Sequence, residues 1–500
     1  MGATQSLERS SEREEARGRI LRTAVGVLVV AMLAVGAVLL WPTSVPNDLS
    51  LAEENLSTRT GTVRVEAPPG RCWTTTIPGD DRDGCGPATV EIELRGVNRV
   101  GVRRAEPGDW PIAMHLEVAG REVGFVGGEG WVRHEILSPA ASFPAEAVEE
   151  AKDYERFLYV LWILSQVALI ATLILYARRG IAYARESSAG PIGTGMLLGM
   201  LGLAIVWLVN LPFRVAAHWW ARRHDLNDAD YLTWLVEDWT LLGAQFFSVC
   251  LALLIVMGLA RWLGEWWWLP GAGVFVAIAA VFTFSAPYLD YTTEPLRDPT
   301  LLEAAERYER ELGLPHVPVH VQEVSTDTDL ANAYAYGMGP SRRVVLWDTL
   351  LREPFSSDEQ KSVLAHELAH HSQDHLPEGL GWFAIFAVPG AFVLMLATKG
   401  RGGMGTPEAV PLALVVAAVL QLASAPAANW ITRRMEAEAD WKALEVTRDP
   451  QALQGVMVAF VETSLSDPEP PGWAHFFTGT HPTLEERVAM AHAWSVRNGR

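Results

Sequence analysis

The sequence has few cysteines and few charged residues for its length. Only 3 of the 500 residues are cysteine, which excludes a small scaffold held together by disulfides. Charged residues make up 20% of the chain and hydrophobic residues 49%, a balance that excludes bulk disorder. Basic residues are the scarcer sign, with 40 Lys and Arg against 59 Asp and Glu and a formal charge of −19. We therefore expect no nucleic-acid partner, because binding to phosphate requires a basic surface.

What the sequence does contain is a series of long uncharged stretches, each of 19 or more residues. About 20 apolar residues in a helix cross a hydrocarbon core of roughly 30 Å. Trp41, Trp239 and Trp266 lie at the ends of such stretches, as is typical of anchors at the membrane interface. The pattern predicts a mainly α-helical, multi-pass integral membrane protein with seven transmembrane helices in the lipid bilayer. The seven windows are 23–41, 157–177, 191–213, 239–260, 266–289, 380–398 and 409–432.

A small β-rich domain is predicted in the soluble insert between the first two windows. Apolar and polar residues alternate along 90–94 and 114–118, between turns rich in Gly, Pro and Asp, which is typical of strands. Cys72 and Cys85 are 13 residues apart in this insert, and a disulfide between them would suit a small domain outside the cytoplasm. Two free thiols are the alternative.

The windows divide the chain into six regions. Apolar stretches alternate with regions that carry more charge, and the two soluble regions that flank the last two windows contain the candidate site. The regions are the N-terminal tail with the first helix (1–42), the insert (43–150), helices two to five (151–289), a mixed soluble region (290–379), helices six and seven (380–432) and a charged C-terminal region (433–500).

The clearest chemical motif lies on a predicted helix of the mixed soluble region. Ser356 and Glu359 form a capping-box pattern that predicts a helix start, and the helix is expected to run to about residue 375. It contains His366-Glu367-Leu368-Ala369-His370, an H-E-x-x-H motif. Residues four apart share a helix face, so both imidazoles can bind one metal ion. Glu367 can reach water at the ion without binding the ion itself.

A catalytic zinc site also needs a third protein ligand. Glu436 and Asp440 directly follow the last window and share one face of a predicted helix, whereas Glu438 points elsewhere and is expected to be a solvent-exposed charge. If the last two spans pair in antiparallel fashion, this helix meets the H-E-x-x-H helix on one side of the membrane. An ordinary acidic helix start, opposite Arg433 and Arg434, is the alternative.

From about Leu211 to Arg487, the sequence resembles the CAAX prenyl protease 1 family, integral-membrane zinc metallopeptidases of the gluzincin type with seven spans. Several motifs carry this resemblance, and they occur in the expected order. They are Pro212-Phe213 with His224 and Asn227, Ala286-Pro287 with Pro295-Leu296, residues 332–337 (NAYAYG), residues 344–351 (VVLWDTLL), residues 366–370 (HELAH), residues 433–436 (RRME) with Ala439-Asp440, and residues 481–487 (HPTLEER).

The resemblance implies a metal centre and its general base. It implies that His366, His370 and Glu436 bind one zinc ion per chain, and that Glu367 is the general base. It also implies that Asp440 orients a ligand histidine. Regions 290–379 and 433–500 would then be the two parts of a metalloprotease α+β domain, beside a helical barrel that encloses a chamber.

The resemblance also implies the groups that hold the substrate. Asn332 would bind substrate backbone, and His481 with Arg487 would stabilise the tetrahedral oxyanion. Without the resemblance, His481 would be a turn residue and Arg487 a surface charge. His371 and His375 lie off or beyond the ligand pair and are expected not to bind metal.

Two departures from the family limit what carries over. The family lacks the insert 43–150, so that region inherits no function. The segment 351–365, between the strand motif and the H-E-x-x-H motif, is compact, so prenyl specificity does not follow from the resemblance. We expect a membrane-embedded zinc metalloendopeptidase that cleaves membrane-associated or lipidated peptides. A stress or quality-control membrane zinc protease without prenyl specificity is the nearest alternative. A seven-span receptor or transporter with a structural zinc fits less well, because a general-base glutamate beside two ligands has no purpose there.

Two observations disagree about the side of the membrane on which the zinc domain lies. Arg9, Arg13 and Arg17 precede the first span, and Arg178 with Arg179 follows the second. By the positive-inside rule, this places the N-terminus in the cytoplasm and the zinc domain outside. Against this, Arg214, Arg222 and Arg223 lie in the opposite loop, and the resembled family keeps its catalytic domain in the cytosol. The charge pattern and the expected disulfide favour the extracytoplasmic side.

Overall fold

A computed structural model of the protein describes residues 60–76, 81–93, 97–118, 121–135 and 143–498. The fold is mainly helical, with a separate β-rich region at the start of the described chain. The predicted first span, 23–41, lies outside the described residues. Helices and strands are numbered below in chain order within the described part.

The insert folds as two antiparallel four-stranded sheets, ordered β4-β1-β6-β7 and β3-β2-β5-β8. Side chains from both sheets, among them Val63, Trp73 and Met114, share one buried core. Cys72 and Cys85 pair directly across β2 and β3 and form a disulfide. The strands are β1 (Thr60–Glu66), β2 (Cys72–Thr76), β3 (Arg82–Cys85), β4 (Ala88–Glu93), β5 (Val97–Arg104), β6 (Ala113–Val118), β7 (Arg121–Gly127) and β8 (Gly130–Glu135).

Within the described residues, five helical stretches are long and apolar enough to cross a membrane. One of them, Tyr231–Leu289, contains two helices joined by the short 3₁₀ turn Gly264–Trp267, so it covers two of the predicted windows. The number of seven spans therefore stays a prediction. The membrane helices are α1 (Ala145–Arg179), α3 (Gly190–Arg223), α4 (Tyr231–Leu263), α5 (Trp268–Leu289), α8 (His375–Thr398) and α9 (Val410–Thr447), and the short α2 (Ile181–Glu186) follows α1.

The remaining elements form an α+β unit around a third sheet, ordered β11-β12-β10-β9. Strands β10 and β12 pair in parallel in the middle of the sheet. At one edge β11 pairs antiparallel with β12, and at the other edge β9 pairs antiparallel with β10. Leu346 and Leu350 pack in one fully buried core with Leu364 and Leu368. The elements are β9 (Thr293–Pro295), α6 (Pro299–Leu312), β10 (Val319–Gln322), β11 (Ala333–Tyr336), β12 (Arg343–Trp347), α7 (Ser357–Ser372), α10 (Pro450–Ser464), α11 (Gly472–Thr478) and α12 (Leu484–Arg497).

Two helix arrangements position the candidate site. Only Gln373 and Asp374 separate α7 from α8, so the H-E-x-x-H helix is followed almost at once by a membrane helix. Helix α9 is continuous for 38 residues and contains Glu436 and all but the first residue of the last predicted window. The expected region boundaries at 379/380 and 432/433 therefore fall inside helices, because a helix that leaves an apolar layer has no reason to end there.

Candidate metal centre

Helix α7 presents two histidines because its opposite face is fixed in the core. The capping box at its start is confirmed: Ser356 N donates to Glu359 Oε2 at 2.8 Å, and Glu359 N donates to Ser356 Oγ at 3.4 Å. Leu364 and Leu368 are fully buried, and each such side chain contributes about 1.5–3 kcal/mol relative to exposure. The helix is thereby held so that His366 and His370 face α9.

Three ligand atoms from α7 and α9 converge on one point. His366 Nε2 lies 3.1 Å from Glu436 Oε2 and 3.1 Å from His370 Nε2, and His370 Nε2 lies 3.6 Å from Glu436 Oε2. Ligands at about 2.0–2.1 Å from a tetrahedral zinc lie about 3.3 Å from one another. Two imidazole nitrogens and one carboxylate oxygen with this spacing fit such an ion, and these side chains are 9%, 13% and 9% exposed.

Asp440 lies on the far side of His366 from the convergent atoms. Its Oδ1 is 2.8 Å from His366 Nδ1, which leaves Nε2 of the same ring toward Glu436. Burial disfavours the charged form of His366, but Asp440 and Glu436 outweigh burial and raise the pKa of the imidazole to about 10. The geometry thus matches the orienting role that the resemblance implies for Asp440, with Nδ1–H donating to its carboxylate.

Arg487 makes a contact that was not predicted from the sequence. Its Nε and Nη2 donate to the two carboxylate oxygens of Asp440, both at 2.7 Å, and its side chain is 9% exposed. Burial opposes the charged form, but Asp440 outweighs burial and raises the pKa of the guanidinium. A guanidinium and a carboxylate fit as a bidentate pair, so Arg487 holds the Asp440 carboxylate in place.

His481 lies at the more open side of the convergent atoms. Its Nε2 is 3.2 Å from Glu436 Oε2, and its side chain is 53% exposed. Its Nδ1 lies 3.0 Å from Thr480 Oγ1. The structure therefore brings His481 to the site, in a position from which a substrate can also be reached.

Glu367 is buried beside the ligand pair, with 7% of its surface exposed. Its carboxylate is close enough to Arg487 to stabilise the positive charge of the guanidinium and so contributes to the raised pKa of Arg487. Asn332 directly precedes the edge strand β11, which packs near α7. Asn332 Oδ1 accepts from Ala333 N at 2.9 Å, and its carbonyl accepts from Trp347 N at 3.0 Å.

Two polar residues of the site were not expected from the sequence. His375 is nearly fully buried, and its Nδ1 lies 2.9 Å from His370 Nδ1. Glu438, expected as a solvent-exposed charge, is 14% exposed and lies 3.5 Å from His375 Nε2. His375, the third histidine of the pattern H-E-x-x-H-x-x-x-x-H, was the signal in the sequence that could have indicated this pair. If His375 is buried, it needs a polar partner nearby.

His371 has a structural role. Its Nε2–H donates to the carbonyl of Arg343 at 3.0 Å, which ties α7 to β12. Burial lowers the pKa of His371 to about 4. This neutral imidazole points away from the ligand atoms, in agreement with the expectation that it does not bind metal.

Known proteins resemble this chain in sequence and in fold. Residues 295–495 match the model of peptidase family M48. The uncharacterized metalloprotease YhfN of Bacillus subtilis is 24% identical over 379 residues, which cover 71% of this chain and 86% of the relative. A CAAX prenyl protease 1 homolog of Oryza sativa subsp. japonica is 29% identical over 203 residues, 39% of this chain and 48% of the relative. The chain thus spans about half of that relative.

The crystal structure of S. mikatae Ste24p shares the fold, with a TM-score of 0.59 and 18% sequence identity over 70% of this chain and 89% of that one. The family implies a metal cofactor, and the convergent donors on α7 and α9 fit one. A receptor or transporter is not favoured by these similarities. The chain is therefore a membrane metallopeptidase that is similar to CAAX prenyl protease 1, and its residues 295–495 match peptidase family M48.

Proposed function

We propose that the protein is a zinc-dependent metalloendopeptidase whose ligands are His366, His370 and Glu436. The observation that carries the proposal is that their three ligand atoms lie within 4.8 Å of one another. Imidazole and carboxylate donors in this number suit zinc and leave one coordination position open for water or substrate. When bound, zinc supplies a Lewis acid that polarises a carbonyl group and makes water more acidic.

Glu367 is the proposed general base. Its neighbour His366 supplies a ligand atom, while Glu367 itself is not among the three convergent groups. Its carboxylate takes the proton of the attacking water and then delivers that proton to the leaving amine. His481, from the more open side, donates to the developing oxyanion.

The substrate is proposed to be an extended peptide that pairs with β11. This strand is at the edge of its sheet and runs next to α7, so a peptide can add to it by main-chain hydrogen bonds. Asn332 is positioned at the start of that edge. The similarity to CAAX prenyl protease 1 homologs supports a lipidated, membrane-associated substrate.

We expect the purified protein to contain about one zinc per chain and to hydrolyse peptides in a chelator-sensitive manner, because the three ligands form one site. Replacing Glu436 with alanine should remove most of the zinc, since a site with two remaining ligands holds the ion weakly. Elemental analysis and a peptide-cleavage assay measure both quantities. A Glu436→Ala protein with a full zinc content would contradict the ligand assignment.

The same assay tests the substrate class. The cleavage rates of a prenylated peptide and of its unmodified counterpart should be compared. The detergent conditions should be chosen so that both peptides partition equally into the micelles. Faster cleavage of the prenylated peptide is expected for a CAAX-type enzyme. Equal rates would support the alternative of a membrane protease without prenyl specificity.

We also propose that the metal centre faces the extracytoplasmic side. Phe143, just before α1, and Ala151, near the start of α1, pack in one core with Trp441 and Val456 of the catalytic unit. The insert that precedes α1 therefore joins the chain on the same side as the site. The insert contains the Cys72–Cys85 disulfide, which favours an oxidising compartment.

Cysteine labelling of intact cells should resolve the orientation. In a Cys250→Ala background, a cysteine in place of the exposed Glu469 should react with a membrane-impermeant reagent. The matched control is a cysteine in place of the exposed Ser188, near the other end of α1, roughly 50 Å away along a 35-residue helix. Ser188→Cys should react only after lysis. The reverse pattern would place the site in the cytoplasm.

A further inference from the structure

His370 has a partner that the proposed reaction does not use. Its Nε2 faces His366 and Glu436, so this nitrogen is the ligand atom and must be free of a proton to bind metal. The proton of the neutral ring is then on Nδ1. That nitrogen lies 2.9 Å from Nδ1 of His375, and the two rings meet edge to face with centroids 4.9 Å apart.

The tautomer of His375 follows from this contact. Since His370 Nδ1 donates, His375 must accept on its own Nδ1 and therefore has its proton on Nε2. Nε2 is buried and makes no hydrogen bond with the described residues, and Glu438 Oε2 lies 3.5 Å from it. The side chains of His375 and Glu438 are only 3% and 14% exposed. A carboxylate at this position favours the tautomer that can accept from His370.

The turn between α7 and α8 keeps His375 in place. Asp374 adopts a left-handed conformation with φ 54°, and Arg342 Nη2 binds its Oδ1 at 2.6 Å. Helix α8 begins at His375 directly after this turn. His375 is thus fixed by backbone geometry and not by the face of α7.

We propose that His375 and Glu438 form a positioning chain that orients His370 toward the metal, as Arg487 and Asp440 orient His366. The chain rests on the zinc site proposed above. Both ligand histidines would then have a fixed tautomer and a fixed ring plane, one set by a direct carboxylate and the other by a carboxylate acting through a second imidazole. Loss of such a partner typically lowers metal affinity 10- to 100-fold.

The test is the zinc dissociation constant of the full-length protein, measured in detergent by competition with a chelating indicator. His375→Leu should weaken zinc binding about 10- to 100-fold. His375→Asn should recover much of that loss, because its Oδ1 can accept from His370. Glu438→Gln should weaken zinc binding less than His375→Leu does. The double variant His375→Leu/Glu438→Gln should bind zinc as well as His375→Leu alone, because both residues act on the metal through Nδ1 of His370. Glu445→Gln, on the same helix and 44% exposed, is the matched control.

A second readout separates orientation from general stability. With cobalt in place of zinc, the visible absorption spectrum should change in His375→Leu and stay unchanged in Glu445→Gln. Wild-type affinity and spectrum in His375→Leu, or a His375→Asn variant as weak as His375→Leu, would overturn the positioning chain alone. A wild-type protein that binds no zinc would instead overturn the proposed function.

Discussion

Replacing Glu367 with glutamine should reduce peptide turnover by roughly 10²- to 10⁴-fold, the contribution typical of a general acid or base. The change keeps the size of the buried side chain but removes its ability to accept and return a proton. The zinc content should stay at the wild-type value, because the three convergent ligand atoms come from His366, His370 and Glu436. Single-turnover cleavage and elemental analysis of the same preparation measure the two effects.

A surface position on the same helix provides the control. Asp358 is 67% exposed in the first turn of α7 and pairs with Lys361 at 2.8 Å. Asp358→Asn removes a carboxylate from this helix without touching the site, and its turnover should remain at the wild-type level. Undiminished turnover in Glu367→Gln would show that another group moves the proton.

Arg487→Ala should destabilise the protein by about 3–5 kcal/mol, the usual cost of removing one partner of a buried ion pair. Asp440 is fully buried and accepts two hydrogen bonds from Arg487. Without the guanidinium, its carboxylate keeps the contact with His366 but loses its ion pair with Arg487. Zinc affinity should fall as well, because Asp440 orients that ligand. Thermal unfolding of the metal-free protein and zinc competition measure the two losses.

His481→Ala is the informative comparison. This side chain is 53% exposed, so its removal should leave the unfolding temperature nearly unchanged and lower kcat instead. Normal stability and zinc affinity in Arg487→Ala, together with a large loss of kcat, would instead support the oxyanion role that the family resemblance implies. The two variants therefore distinguish a group that holds the site from a group that meets the substrate.

The sequence alone was sufficient for features that depend on local periodicity. The capping box at Ser356 and Glu359 was predicted correctly, because both partners lie within one helical turn. The apolar windows within the described residues fall in helices suited to a membrane. Spacing by four residues also placed His366 and His370 on one face.

Partners that are distant along the chain could be decided only by the tertiary structure. Glu438 is two residues from Glu436, about 200° around the helix, which on an isolated helix indicates the solvent side. In the folded protein, α7 and the start of α8 both contact α9, so this second side is covered and Glu438 meets His375. Arg487 meets Asp440 in a similar way, because its helix α12 also contacts α9. Local spacing gives the direction of a side chain from its own helix, but the packing of other helices determines what that side chain meets.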